Sequence, residues 1–411
     1  MSWLETRVMD ERLKFISEVL EGQYNMTELC IAYNISRKTG YKWLGRYLQD
    51  GPVGLEDISR APHSHPHQMP DKVKAAILCV KQQYPHWGPA KIDYKLRKIY
   101  SSWPCYPAIS TIGLFLKHNG LVCRRKHRRR ASPTQPPLTV GVFPNDVWSV
   151  DFKGHFKTGD SSRCNPLTIN DHKSRYLLCC RHVEHMSYEL VKMQFERVFR
   201  EYGLPLVIRS DNGTPFSSRG LCGLSRLSLW WIRLGIHPER IEPASPDQNG
   251  RHERMHRTLK EHTASPPASN LHWQQKRFDS FVREYNDERP HQSLDMNTPS
   301  SVYVPSARRW PSRLLNPHYD RCMHVRKVAH HGDINYKGRR LFLSESLDGQ
   351  YIAIEPVDED TSRLWYYDHE LGQLDHAKWQ VKPARQRPLF AGVNPRPDDH
   401  NSTNVLPMSS V

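Results

Sequence analysis

Apolar and polar positions follow a helical rhythm from the N-terminus to about residue 120. Leu13, Ile16, Val19 and Leu20 recur on one face of a helix. Asn25 and Glu28 then take the cap and third positions of MTELCIAY, the arrangement of a capping box. In Asn34-Ile35-Ser36, Asn suits a left-handed tight turn and Ser36 suits the cap of a following helix, SRKTGYKWLGRY. Two short helices joined this closely predict a helix-turn-helix. Its second helix carries Arg37, Lys38, Lys42 and Arg46 towards phosphates or base edges, with Trp43 and Leu44 packed inward. A helical hairpin with ordinary solubilising cations fits the same pattern. The linker GPVGLEDISRAPHSHPHQMP follows, in which His63, His65 and His67 lack a second ligand pair at metal-binding spacing and read as solvated chain. The helical rhythm resumes in DKVKAAILCVKQQY, breaks at Trp87-Gly88-Pro89, and continues through AKIDYKLRKIY and ISTIGLFLKH to a stop at Asn119-Gly120. These helices predict a second DNA-binding unit.

The middle of the chain changes to a period of two. In DVWSVDFKGHF, Trp148, Val150 and Phe152 fall on one side and Val147, Ser149 and Asp151 on the other. LTINDHKSRYLLCCRHVE predicts two more strands joined at Asp171-His172-Lys173. SYELVKMQFERVFREYG predicts an amphipathic helix burying Leu190, Met193, Phe195 and Val198 and ending at Gly203. The apolar run Leu204 to Ile208 is a further strand, broken by RSDNGTPF. Strands, a helix and another strand predict a mixed α/β layer. From about Pro305 short alternating runs predict a small SH3-like β-barrel, with turns at Lys337-Gly338-Arg339, Leu347-Asp348-Gly349 and Leu371-Gly372. Beyond Pro383 the composition predicts a disordered tail.

Charge sharpens this outline. The chain of 411 residues has 59 Lys and Arg against 43 Asp and Glu, a formal charge of +16, which points to a polyanionic partner. The densest run is RRKHRRR, containing Arg124, Arg125, Lys126, Arg128, Arg129 and Arg130 and followed by the spacer SPTQPPL. It reads as an arm that neutralises backbone phosphates, and equally as a localisation tract. Nine cysteines without a CxxC pair fit reduced thiols better than a disulfide framework or zinc site. No apolar run reaches membrane length and MSWLETRVMDERLK lacks a signal-peptide core, so the expected location is the cytoplasm, without a membrane partner.

The chemistry rests on three acids. Asp151 and Asp211 each lie on or just after a strand, although Asp-Asn-Gly is also ordinary turn punctuation. The third comes from IEPASPDQNGRHERMHRTLKEHTA, where Ser245, Pro246 and Gln248 suit the start of a helix. On that helix Glu253, Arg257 and Lys260 share a face at i, i+4 and i+7. An ordinary surface Glu–Arg pair gives the same spacing. Glu242 precedes the helix, and Asp247 suits its first turn as a favourable charge for the dipole.

Together WSVDF, SDNGTPF and PDQNGRHERMHRTLK resemble the DDE motif of transposases and retroviral-type integrases, most closely the IS481 and IS3 insertion-sequence groups. YPHWGPAKI and YNDERPHQSLDMNTPSSVY extend the resemblance over nearly the whole chain. The interval from Asp211 to Glu253 is longer than the family's usual spacing and contains GLCGLSRLSLWW, which we read as a feature of the IS481-like branch.

The resemblance implies a ribonuclease H-like core, with Asp151, Asp211 and Glu253 as the catalytic acids. The expected organisation is a helix-turn-helix over 1–60, a second such or winged-helix unit with its basic arm over 61–131, the core over 136–304, the barrel over 305–384 and the tail over 385–411. Crowded carboxylates repel one another unless cations fill the site, and oxygen-only ligation favours Mg²⁺, with Mn²⁺ a substitute. In a two-ion scheme Asp151 bridges both ions while Asp211 and Glu253 each hold one. Arg257 and Lys260 would hold the terminal DNA, whereas a proton-shuttle role for His252 or His256 ranks behind phosphate contact or packing.

The expected function is a transposase that binds an element's terminal inverted repeats, cleaves them and joins them to target DNA as a dimer or larger assembly at the bacterial nucleoid. A catalytically silent DNA-binding regulator is the alternative. A nuclease indifferent to sequence fits poorly with two helix-turn-helix units.

Overall fold

The computed structural model describes residues 8–57, 68–122, 138–242, 248, 250–314 and 316–384. The chain divides into two units, Met1–Pro70 and Asp71–Val411. No helix among the described residues is long and apolar enough to cross a membrane. The predicted basic run, the linker histidines, Ser245, Pro246, Asp247 and the C-terminal tail lie outside the described residues.

In the first unit α1 (Val8–Glu21), α2 (Met26–Ala32) and α3 (Arg37–Asp50) surround a small core of Phe15, Ile16, Leu29, Cys30, Trp43 and Leu55. The capping box of α2 is formed: the Glu28 N–H donates to Asn25 Oδ1 at 2.9 Å and the Asn25 N–H to Glu28 Oε2 at 3.0 Å. Asn34 takes a left-handed φ of 52°, and Ser36 caps α3 by accepting from the Thr39 N–H at 3.2 Å. A Cβ on Gly40 would stand 2.7 Å from Cys30 Sγ, so glycine permits the close crossing of α2 and α3. The face of α1 differs from the expected one. Phe15 and Ile16 are buried with Val19 against them, whereas Leu13 and Leu20 are exposed. The stripe that meets the small core is therefore shifted by part of a turn.

The second unit begins with α4 (Asp71–Gln83), α5 (Pro89–Ile99) and α6 (Ile109–His118). Gly88 caps α5 with Pro89 at its first position, and Gly120, at φ 68°, ends the last helical turn. Its central layer is a mixed sheet in the order β5 (Leu177–His182), β4 (Pro166–Asp171), β1 (Val147–Phe152), β6 (Val207–Ser210), β7 (His237–Arg240). A hairpin of β2 (Phe156–Lys157) and β3 (Arg163–Cys164) follows β1. Strand β1 pairs antiparallel with β4 and parallel with β6.

One side of β1 carries Trp148 and Val150 into an apolar core closed by α7 (Tyr188–Tyr202) and α8 (Arg226–Arg233). Along α7 the buried residues are Val191, Phe195, Val198 and Phe199. Met193, expected inside, is 54 % exposed because it lies on the opposite side of the helix from Val191 and Val198. The other side of the sheet is covered by α9 (Gly250–Thr263) and α10 (Leu271–Arg283), which bury Met255, Leu259, Phe278 and Phe281 against β5.

A π-helical turn, Glu284–Glu288, follows α10 and protects the edge strand. Asn286 accepts from the Leu177 N–H at 2.8 Å and donates to the Leu177 carbonyl at 3.0 Å, imitating a neighbouring strand. The chain then passes through α11 (Pro299–Val302), and Tyr303, Trp310 and Leu314 pack on the sheet's main core. The Arg308 guanidinium meets the carbonyls of Leu234 and Gly235 at 3.0 and 2.8 Å.

The C-terminal region is sheet-rich. Strands β8 (His324–Lys327), β11 (Tyr351–Pro356), β12 (Thr361–Tyr366), β13 (His369–Asp375) and β14 (Gln380–Pro383) pair antiparallel in the order β14-β13-β12-β11-β8, beside the hairpin of β9 (Asp333–Tyr336) and β10 (Arg339–Phe342). Leu371-Gly372, expected as a turn, instead lies inside β13 beside a register shift. A Cβ on Gly372 would stand 2.3 Å from the Lys382 carbonyl oxygen, so this glycine marks close strand approach. The insert GLCGLSRLSLWW forms the approach to α8, whose Leu227, Trp230 and Trp231 enter the main core. Leu229 and Ile232 on its other face join the core of the C-terminal sheet.

Candidate active site

Two of the expected acids emerge where adjacent parallel strands end. Ser149 on β1 is in register with Arg209 on β6. Two residues further along each chain bring Asp151 and Asp211 to neighbouring positions, because parallel strands run about 5 Å apart. Burial first, then repulsion from Asp211, pushes the Asp151 carboxyl up to about 7; Glu253 adds to the push, while the Phe152 backbone N–H and Lys153 oppose it. Asp211 and Glu253 are thus near enough for their charges to be felt at Asp151, although the three carboxylates do not form a group within 4.8 Å among the described residues.

Asp211 also has the turn role. Its Oδ1 accepts from the Gly213 N–H at 3.1 Å, a bond that lowers its pKa against a larger upward push from burial. Gly213 leaves no room for a larger residue without adjustment, since its Cβ would lie 3.1 Å from Asp211 Oδ2.

Glu253 sits in the first turn of α9, and that helix is seated on Thr168. Thr168 stands opposite Asp151 in the β1–β4 ladder. Its hydroxyl donates to the Asp151 carbonyl at 3.0 Å, while Nε2 of His252 and of His256 each lie 2.7 Å from that hydroxyl's own oxygen. A hydroxyl has one proton to give. With that proton on the carbonyl, both imidazoles donate from Nε2 and keep a lone pair on Nδ1. His256 Nδ1 lies 3.7 Å from Asp151 Oδ2. Asp151, His252 and His256 have potential ligand atoms within 4.8 Å of one another. Burial lowers His252 to about 3 and, with repulsion from His252 and Lys153, lowers His256 further. Both rings are therefore neutral, and they fix α9 against Thr168 of β4 while standing with Asp151 in a group that could hold a metal ion.

The exposed flank of α9 carries Glu253, Arg257 and Lys260. Glu242 lies before the helix, its N–H donating to Gln248 Oε1 at 2.8 Å. Gln248 thus reaches back beyond the start of α9 at Gly250. Among the predicted residues of α3, Arg37, Lys38 and Lys42 are exposed and Arg46 is half-buried. Lys42 and Arg46 also stand over the Trp43 ring, 4.7 and 5.2 Å from its centre.

Thr168 escaped the sequence reading because one threonine in LTIND resembles any other strand residue. The i, i+4 spacing of His252 and His256 was the available signal, since it predicts two rings on the same helix face.

The Integrase core domain matches residues 142–246 and again 234–299. A Helix-turn-helix domain matches 11–63, a Homeodomain-like domain 39–113, and the IS481 family transposase C-terminal domain 323–382. The insertion element IS407 uncharacterized 31.7 kDa protein of Burkholderia multivorans is 26 % identical over 189 residues, covering 44 % of this chain and 64 % of that protein. The insertion element IS476 uncharacterized 39.2 kDa protein of Xanthomonas euvesicatoria is 25 % identical over 264 residues, covering 60 % of this chain and 69 % of that protein. The chain thus spans about two thirds of each relative's length. Among solved structures, the HTLV-2 integrase catalytic core domain in complex with magnesium (trimeric form) is similar at 16 % identity and a TM-score of 0.33, covering 40 % of this chain and 100 % of that one.

Proposed function

The chain belongs to the IS481-type transposases with a retroviral-like integrase core, and from that premise we propose that it cleaves the ends of an insertion element and joins them to target DNA at Asp151, Asp211 and Glu253. The observation carrying this reading is the upward push on Asp151 by burial and by the other two acids. A buried carboxylate repelled by two more has unfavourable charge that a divalent cation relieves. The hard oxygen donors fit Mg²⁺, with Mn²⁺ as a substitute, and two ions suit three carboxylates. Bound there, such cations supply Lewis acidity for attack on a phosphodiester.

The chain's own residues do the remaining work. Thr168 and the paired histidines hold α9, with Glu253 in its first turn, against the strand that faces Asp151. The Gly213 N–H orients Asp211. Arg257 and Lys260, on the same flank as Glu253, hold the backbone of the DNA end. Arg37, Lys38, Lys42 and Arg46 belong to the end-recognition helix, and the run from Arg124 to Arg130 neutralises flanking phosphates. The C-terminal sheet, in its expected small-barrel role, supports contact with DNA or another subunit. Two DNA ends handled together call for a dimer or larger assembly.

A strand-joining assay with the parent and Asp211→Asn tests the proposal. The parent should join labelled element ends to target DNA only with Mg²⁺ or Mn²⁺, and the variant should lose at least about a hundredfold in rate. A parent that binds ends but joins none under these conditions would instead be the silent regulator. Activity undiminished in Asp211→Asn would remove that acid from the chemistry.

A further inference from the structure

Next to the row of Glu253, Arg257 and Lys260, α9 carries a second group of cations. Arg251 and Arg254, at i and i+3, share one side of α9, and Arg254 is also i, i+3 to Arg257, so it stands between Arg251 and the row of Glu253, Arg257 and Lys260. Arg175 reaches the same place from the turn between β4 and β5. Arg175 Nη1 donates to the His172 carbonyl at 2.9 Å, and Arg251 Nη1 approaches that oxygen at 3.2 Å. Two guanidiniums from distant parts of the chain therefore converge on one backbone oxygen.

Repulsion from Arg251 and Arg254, after burial, lowers Arg175 to about 10. His291 and Tyr285 sense Arg175 and Arg289 as well, so the positive field continues towards Lys91 on α5. Among the described residues no carboxylate lies within ion-pair distance of Arg175, Arg251 or Arg254. Asp171, the nearest acid in sequence to Arg175, instead receives the N–H of Asn145 and the N–H and hydroxyl of Ser174 at 2.6 to 2.7 Å. Arg209 contributes to the same field but is neutralised by Glu239 at 2.7 Å.

Asp171 offsets only part of this repulsion, and three clustered cations with no carboxylate in ion-pair distance among the described residues are unfavourable until an anion arrives. Guanidinium forks match the paired oxygens of a phosphodiester. We propose that Arg175, Arg251 and Arg254 form a second backbone-phosphate site, which grips a DNA strand other than the one held beside Asp151. This deepens the transposase reading and rests on it. One helix, α9, then presents phosphate contacts across its whole exposed surface, from Lys260 and Arg257 beside Glu253, through Arg254, to Arg251 beside Arg175.

The test uses the full chain and a fluorescein-labelled DNA duplex of unrelated sequence, with binding followed by anisotropy through a salt series. Arg254→Ala is the primary variant because that side chain is exposed. Its affinity should fall several-fold, and its slope of log affinity against log salt should shrink by about one. Arg175→Ala/Arg254→Ala should lower both further, with thermal melting used to verify folding. Arg254→Ala with the parent's affinity and slope would overturn the proposal. Failure of the two proposals is distinguishable. If Asp211→Asn keeps full joining activity while the arginine variants lose DNA affinity, the active-site assignment falls and this site stands.

Discussion

Thr168 faces Asp151 directly across the β1–β4 ladder, and its hydroxyl reaches the Asp151 carbonyl at 3.0 Å while receiving two imidazoles at 2.7 Å. One buried oxygen thus connects the strand bearing the first acid to the helix bearing the third. Thr168→Val retains the shape but leaves two Nε2 donors without their acceptor. At about 1–3 kcal/mol for each stranded buried group, the variant should lose a few kcal/mol. Its thermal midpoint should fall, and Mn²⁺ affinity measured by calorimetry should weaken beyond that of Thr168→Ser, which keeps the hydroxyl. Equal Mn²⁺ affinity in both variants would separate Thr168 from the metal site.

The raised pKa of Asp151 predicts how pH acts on the metal-free protein. Its folded value is about 7, against 3.8 ordinarily, so between these values the folded state holds a proton that the unfolded state has released. Stability from this group is complete below about pH 4 and is lost as pH rises through about 7, on the order of a few kcal/mol in all. A divalent cation replaces that proton. Mg²⁺ should therefore raise the melting temperature more at about pH 8 than at about pH 5. Melting curves with EDTA or with Mg²⁺ at both pH values check the sign, and a larger Mg²⁺ effect at the lower pH would contradict it.

The two aspartates were legible because both interrupt apolar strands, and a strand end is where a side chain can leave the core. The helix-turn-helix was legible through Asn25, Glu28, Asn34 and Ser36, whose cap and turn roles depend on near neighbours in sequence. Contacts formed across the fold were not legible. Thr168, Asn286 and Arg175 gain their roles from partners 84 to 109 residues away or from a neighbouring turn. Leu13, Leu20 and Met193 appeared as core residues because hydrophobicity identifies candidates without fixing the contact face. Gly372 resembled a turn because glycine serves equally where two backbones approach closely.

Asn286 is the clearest structural target in YNDERPHQS. Its side chain satisfies both the N–H and the carbonyl of Leu177 on edge strand β5, at 2.8 and 3.0 Å. Asn286→Leu removes both bonds and buries an apolar group against polar backbone. A loss of about 2–4 kcal/mol should follow, together with exposure of an unpaired strand edge. Differential scanning calorimetry should record a lower midpoint for the core, and amide exchange at Leu177 should accelerate. Unchanged exchange there would remove the edge-capping role.

Glu239 holds the strand that leads to Asp211 from within the sheet. It pairs with Arg209 at 2.7 Å and is itself held by the Thr139 N–H and hydroxyl at 2.8 and 2.6 Å. Arg209 and Glu239 face each other in the β6–β7 ladder, two residues before Asp211 along β6. Glu239→Ala leaves a buried guanidinium without its charge partner, a change that costs about 3–5 kcal/mol. Removing both charges, as in Arg209→Met/Glu239→Leu, should recover much of that loss because no uncompensated ion remains. Thermal melting of the two variants tests the ordering, and a double variant less stable than Glu239→Ala would show that the pair contributes net stability beyond charge compensation.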